Sequence, residues 1–365
     1  MARSVYRNET IDFTKEPLLY GSDLNVSGNP ESKYNAFTTI NKKMKSFMWF
    51  PESKDLSLSR SEYAVADKAV QHILISNLKY QTLLDSVAKR APIHIFSPII
   101  SNPDLESCVL TWSFFEHIHE DSYRHIAESM LDKPSELYGG LIDEPAIKSR
   151  VSAITSNYDK AINANDLWRQ GKLPIKDAMK ATYLAIVSVV ILEGVLFFNS
   201  FLSNFAITEK LGILEGANKI IKEILRDENM HLALTTTLLA IHRSGKEGTI
   251  WQEVIAECEE EAYELFNVAV NQEREWGKYL ISKGSILGLN EAIFESHTEY
   301  RANKCLKMIG LRQVYAQKTN PCKWMDKWMH DDENQTKLQE VENESYLSTV
   351  SFNGNIPRIF KGINL

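Results

Sequence analysis

The chain has little of what many catalytic motifs are built from. Its four cysteines (Cys108, Cys258, Cys305, Cys322) show no C-x-x-C spacing. That argues against a zinc ribbon, a thioredoxin-type pair or a disulfide framework, and points to a reducing cytoplasm. There is no glycine-rich dinucleotide or phosphate fingerprint and no H-E-x-x-H zinc signature. The opening residues MARSVYRNET lack an apolar leader core, so secretion is not expected. Basic residues are outnumbered, 41 Lys and Arg against 48 Asp and Glu, for a net charge of −7. A nucleic-acid partner is therefore not expected. Long apolar runs are also scarce. Residues 183–198 (YLAIVSVVILEGVLFF) are the main one, but 16 residues fall short of a bilayer span and Glu193 interrupts them. A helix buried in a large bundle is expected there, with no membrane contact.

Strand-type alternation is scarce too, whereas helical periodicity dominates from about residue 61. The pattern predicts helices over 61–89, 103–131, 146–168, 175–209, 214–243, 249–283 and 290–311, with a short one near 40–50. Proline and glycine breakers separate them, and Asn102-Pro103-Asp104 has the form of a helix start. The expected fold is all-α, a helical bundle covering residues 59–317. Residues 1–58 read as an N-terminal arm. Residues 318–365, with Trp324, Trp328 and an acidic stretch, read as a C-terminal segment and flexible tail.

What the chain does have is Glu-x-x-His twice, Glu116 to His119 and Glu228 to His231, each in a long apolar helix. A lone acid precedes each at a similar interval, Asp85 and Glu193. Helical positions three and four apart share a face. Val109, Trp112, Glu116, His119 and Tyr123 therefore form one stripe, and Ile221, Ile224, Glu228 and His231 another. Leu74, Leu78, Gln81 and Asp85 form a third; Ile186, Val189, Glu193 and Phe197 form the fourth. One such motif alone is ordinarily a solvated face. Four stripes that each carry acid or imidazole into the core are a different matter.

Burying an unpaired carboxylate costs several kcal/mol. No matching set of core lysines or arginines is expected, so two divalent cations are expected to neutralise the four acids. Oxygen and imidazole donors suit iron or manganese. A Glu from each of two helices with Glu-x-x-His from two others is the ferritin-like dinuclear arrangement; here one lone acid is Asp. Tyr123 stands one turn beyond His119, placing an oxidisable phenol beside the expected metal pair, with Phe197, Phe201 and Ile224 as candidates for a dry surround. The remaining histidines, His72, His94, His117, His125, His242, His297 and His330, have no such company.

The runs ISNLKYQTLLDS (75–86), WSFFEHIHEDSYRHI (112–126), ILEGVLFFNSF (191–201) and GANKIIKEILRDENMHL (216–232), with MKSFMWFPES (44–53), closely resemble the class I ribonucleotide reductase small subunit. The resemblance extends from about Tyr20 to Tyr346. It implies that Asp85, Glu116 and His119 bind one metal ion and Glu193, Glu228 and His231 the other. It implies two iron ions, with manganese as an option, and dioxygen to generate a radical on Tyr123. Trp49 and Asp227 match the family's electron-transfer chain to His119, and Tyr346 matches its relay tyrosine in the tail. The implied activity is ribonucleoside-diphosphate reduction by a homodimer working with a large catalytic subunit, on which the C-terminal peptide docks. The link at 168–178 is shorter than in some bacterial members, and the final GINL matches only loosely. An independent diiron oxidase or oxygenase on the same bundle is the alternative; iron storage is a third possibility, though storage chains are much shorter.

Overall fold

The computed structural model describes residues 11–24, 26, 31–139, 141 and 144–329. Contacts divide the chain into two units, Met1–Pro321 and Cys322–Leu365. The first holds helices α1 (Asn35–Ser46), α2 (Ser57–Val65), α3 (Lys68–Ala88), α4 (Pro103–Met130), α5 (Ser135–Tyr138) and α6 (Pro145–Arg169). It continues with α7 (Ile175–Ile191), α8 (Phe198–Leu211), α9 (Glu215–Arg243), α10 (Thr249–Glu257), α11 (Glu259–Leu280) and α12 (Glu291–Met308). Among the described residues of the second unit there is a 3-10 turn, Lys323–Met325, and a short helix α13, Asp326–Met329. The only extended pairing among described residues is one antiparallel bridge, Leu19 with Ile100. The bundle is all-α, as the periodicity predicts.

Local chemistry accounts for the element ends. The Asn102 side chain accepts from Asp104 N and Leu105 N at 3.1 and 3.0 Å, so α4 starts capped, with Pro103 in its first turn. Gly212 ends α8 in the left-handed region at φ 70, where a Cβ would be strained. Two predicted helices are broken. The segment 61–89 is interrupted at Ala66 and Asp67, both extended (ψ 153 and 151). The segment 249–283 bends at Cys258 (φ −101, ψ 8). Neither break has a Gly or Pro to announce it.

The segment 175–209 differs in a more consequential way. Between α7 and α8 lies a π turn, Leu192–Leu196, in which Phe197 N donates to Leu192 O at 3.3 Å. A second π turn, Pro92–Phe96, follows α3. Such turns add a residue to the helical repeat and rotate the residues beyond them about the helix axis. The apolar stretch Ile175–Leu211 is long enough to cross a membrane, but 89% of its most apolar window is buried inside the protein. It is the core helix of the bundle. Helices α3, α4 and α9 and the π turn after α7 all direct polar side chains into the centre.

Candidate metal centre

Asp85 comes from α3, Glu116 and His119 from α4, Glu193 from the π turn, and Glu228 and His231 from α9. All six are buried, none more than 1% exposed. Ligand-type atoms of Asp85, Glu116, His119 and Glu228 lie within 4.8 Å of one another, and so do those of Glu116, Glu193, Glu228 and His231. The two groups share Glu116 and Glu228, which therefore sit where bridging carboxylates would. His119 Nδ1 is 3.4 Å from Glu116 Oε2 and 3.2 Å from Glu228 Oε1. His231 Nδ1 is 3.2 Å from Glu116 Oε1, 3.3 Å from Glu228 Oε2 and 3.8 Å from Glu193 Oε1.

The electrostatics show that this cluster wants cations. Burial, reinforced by Glu116 and Glu228, pushes the carboxyls of Asp85 and Glu193 well above the usual carboxylate range. Burial also works against Glu116, but the imidazoles of His119 and His231, 3.4 and 3.2 Å away, outweigh it and hold that acid at about 2. Both histidines are raised despite burial, His119 by Asp227, Glu116 and Glu228, and His231 by Glu116 and Glu228. Both oxygens of Asp85 and of Glu193, Glu116 Oε2, Glu228 Oε1 and His119 Nδ1 are buried without a hydrogen-bond partner. Native proteins leave few such atoms unsatisfied, each at a cost of about 1–3 kcal/mol. Two divalent ions would satisfy these donors at once and neutralise four carboxylates, so the residues fit a dinuclear metal centre.

Tyr123 is fully buried. Its phenol is pushed well above its ordinary pKa by burial and by the charge of neighbouring Asp85. Phe197, Phe201 and Ile224 are all fully buried. Trp49, at the end of the loop after α1, donates from Nε1 to Asp227 Oδ2 at 2.7 Å, and His119 Nε2 lies 3.3 Å from the same oxygen. Asp227 thus favours the proton on His119 Nε2 and leaves Nδ1 turned to the metal cluster. Arg226 Nη2 steadies the acid from its other side, 3.5 Å from Oδ1. Tyr346 lies outside the described residues.

Three features lie outside the sequence expectations. Trp112, an apolar stripe member by spacing, donates from Nε1 to Glu116 Oε1 at 2.9 Å. Tyr158 of α6 is buried with an unpartnered hydroxyl and feels the charges of Glu193, Glu116 and Glu228. The core also contains arginines, contrary to expectation: Arg150 and Arg301 are 2% and 1% exposed. A signal for both is present in hindsight. Arg150 stands between Ile147 and Ile154, and Arg301 between Phe294 and Cys305, at helical spacing on buried faces. Neither is among the residues of the acid cluster; Arg150 pairs with Glu273 of α11.

Residues 30–321 match the family model described as ribonucleotide reductase, small chain. The chain is 37% identical over 95% of its length, and 95% of the relative's, to ribonucleoside-diphosphate reductase 1 subunit beta of Escherichia coli O157:H7. It is 31% identical, over 94% of both chains, to the ribonucleoside-diphosphate reductase subunit beta of Enterobacteria phage T4. Among solved structures, the ribonucleotide reductase R2 subunit from Clostridium botulinum superposes with a TM-score of 0.78 at 22% identity, covering 90% of this chain and 98% of that one. The dimanganese(II)-NrdF of Streptococcus sanguinis superposes with a TM-score of 0.66 at 16% identity, covering 80% and 95%. The structural likenesses carry the ferritin-like bundle, and the sequence likenesses span that bundle and both acid-histidine helices. On these grounds the chain belongs to the ribonucleotide reductase small-chain family.

Proposed function

We propose that the chain generates and stores the oxidising equivalent with which a large catalytic subunit reduces ribonucleoside diphosphates to deoxyribonucleotides. The observation that carries this reading is the pair of buried ligand clusters sharing Glu116 and Glu228, with Tyr123 beside Asp85. Asp85, Glu116, His119, Glu193, Glu228 and His231 hold two ions, iron by preference and manganese by the same donor chemistry. When bound, those ions supply the dioxygen-dependent oxidation that takes one electron from Tyr123. The rest falls to the protein. Burial of Tyr123 excludes water and reductants from its ring, and Asp85 defines the edge of the site toward which the phenolic proton leaves. Asp227 accepts from both Trp49 Nε1 and His119 Nε2, so an electron drawn through Trp49 can be matched by a proton moving to Asp227 Oδ2. Trp49 is flanked by exposed Met48 and Phe50, which puts the outer end of this chain at the surface. Tyr346 and the C-terminal residues continue the relay by docking on the large subunit. The working form is a cytoplasmic homodimer.

Metal-free protein loaded with ferrous iron in air tests this reading. Two ions per chain and a tyrosyl electron paramagnetic resonance signal are expected. Tyr123→Phe should abolish the signal and leave the metal content unchanged. A wild-type protein that binds no metal and stays radical-silent sinks the reading. Turnover without any partner would favour an independent oxidase instead. Metal analysis of protein isolated from cells decides between iron and manganese.

A further inference from the structure

Glu193 is the one acid of the centre that does not come from a regular α-helix. Its π turn is gripped from outside by side chains of three other helices. Arg301 of α12 donates from Nε to Gly194 O at 3.0 Å. Arg150 of α6 donates from Nη2 to Leu196 O at 3.3 Å, and Tyr80 of α3 donates from its hydroxyl to the same oxygen at 3.4 Å. Arg150 is itself tied down. It donates to Gln272 O at 2.7 Å and to the Tyr80 hydroxyl at 2.6 Å, pairs with Glu273, and lies over the rings of Tyr80 and Trp276.

Arg301 is the more telling of the two. It is 1% exposed and has no carboxylate partner among the described residues; its guanidinium lies 3.3 Å from the centroid of the Phe198 ring. Burying a guanidinium without a counter-charge is costly. A fold that tolerates it has a use for its direction. The turn also has no slack on that side. A Cβ on Gly194 would come within 2.3 Å of Cys305 Sγ, one turn along α12 from Arg301.

We propose that Arg301, supported by Arg150, is a positioning residue that sets the π turn and so holds the Glu193 carboxylate in place to complete the second ion site. This rests on the two-ion reading above. It predicts an asymmetry: loosening the turn harms the site containing Glu193 and spares the site made by Asp85, Glu116, His119 and Glu228. Outer partners of ligands typically tune metal affinity by roughly 10–100-fold.

The test is an anaerobic titration of metal-free full-length protein with ferrous iron, resolving the two binding steps, for wild type, Arg301→Gln and Arg301→Lys. Asp85→Asn and Glu193→Gln assign each step to its half of the centre. In Arg301→Gln the Glu193 step should weaken by roughly 10–100-fold, with the other step within about threefold of wild type. Arg301→Lys keeps a charge and a donor and should weaken the Glu193 step less. Equal weakening of both steps in either variant marks a merely structural role and overturns the proposal, as does no change in either. If Arg301→Gln fails to fold, Arg301→Lys decides by the same criterion, selective loss or not. A wild-type protein that binds fewer than two ions defeats the two-ion reading itself, a result distinct from failure of the Arg301 role.

Discussion

His119 and His231 occupy equivalent places in two Glu-x-x-His turns, yet the protein treats their outer nitrogens differently. His119 Nε2 lies 3.3 Å from Asp227 Oδ2, and Asp227 takes the Trp49 indole hydrogen at 2.7 Å. His231 Nε2 is buried with no hydrogen-bond partner. The lone acids differ as well: Asp85 stands in the regular helix α3, Glu193 in a π turn gripped by arginines. The ligand spacing repeats, but the surroundings do not. One half is connected outward through polar groups, and the other is sealed and braced. Under the proposed function, the outward-connected half is the one expected to exchange electrons, and the braced half the one expected to complete the charge balance.

The sharpest way to break this comparison is to ask which acids serve both halves. Saturating one site at a hundredfold excess over its Kd stabilises the fold by about 2.7 kcal/mol. Glu116→Gln or Glu228→Gln should remove most of that gain at both sites, about 5 kcal/mol in all. Asp85→Asn or Glu193→Gln should remove roughly half as much. Denaturant titrations with and without ferrous iron measure it. Equal losses from all four variants would show that the two clusters do not share their acids.

The outward connection is tested by Asp227→Asn, which keeps a hydrogen-bond acceptor for Trp49 but cannot take a proton. Radical formation on Tyr123 should survive, while turnover with the large subunit should fall by roughly 100-fold or more, the scale of a lost positioned proton acceptor. Normal turnover would disconnect the Trp49 route from function.

The range of each interaction decides how much of the fold and site is legible in the sequence. The six site residues stand out because helical periodicity is local: Glu116, His119 and Tyr123 share a face through steps of three and four. The structure brings all six acids and histidines together. The π turn at Leu192–Leu196 is not legible, since its braces come from α3, α6 and α12, far away in sequence. The arginines are hard to place because a charged residue on an apolar face reads as an edge position until its partners are seen. The Trp49 to Asp227 contact joins residues 178 apart, and it is family likeness, not any pattern in the residues, that links them.

The contrast between partnered and unpartnered histidines extends beyond the site and gives a smaller effect. His242, at the end of α9, has both ring nitrogens buried without partners and stacks on Trp251 at 4.1 Å. Burial lowers its pKa to about 3. A group with a depressed pKa in the fold stabilises above its unfolded value and loses that stability as pH falls toward the folded value. From the ordinary histidine pKa near 6.5 down to pH 5, the loss is about 2 kcal/mol. His242→Phe keeps the ring stack and removes the titration. Its stability should therefore drop less than that of wild type between pH 7 and pH 5, by about 2 kcal/mol in urea unfolding. Identical pH profiles would mean that His242 gains a proton in the folded state without penalty.

The smallest effect separates the two ligand helices at their first turns. Helix α4 begins with its own Asn102 side chain accepting from Asp104 N and Leu105 N, whereas α9 is capped from α2, where Ser59 Oγ accepts from Ala217 N at 3.4 Å and Glu62 Oε2 from Leu214 N at 2.7 Å. Helix α9 therefore takes its start from a neighbouring helix, whereas α4 carries its cap in its own sequence. Asn102→Ala should cost about 1 kcal/mol of unfolding free energy. Because the cap lies more than three turns from Glu116, iron affinity at both steps should stay within about twofold of wild type, each helical turn spanning about 3.6 residues. A selective loss at the Asp85 step would mean that the start of α4, and not only its packed centre, sets the position of Glu116 and His119.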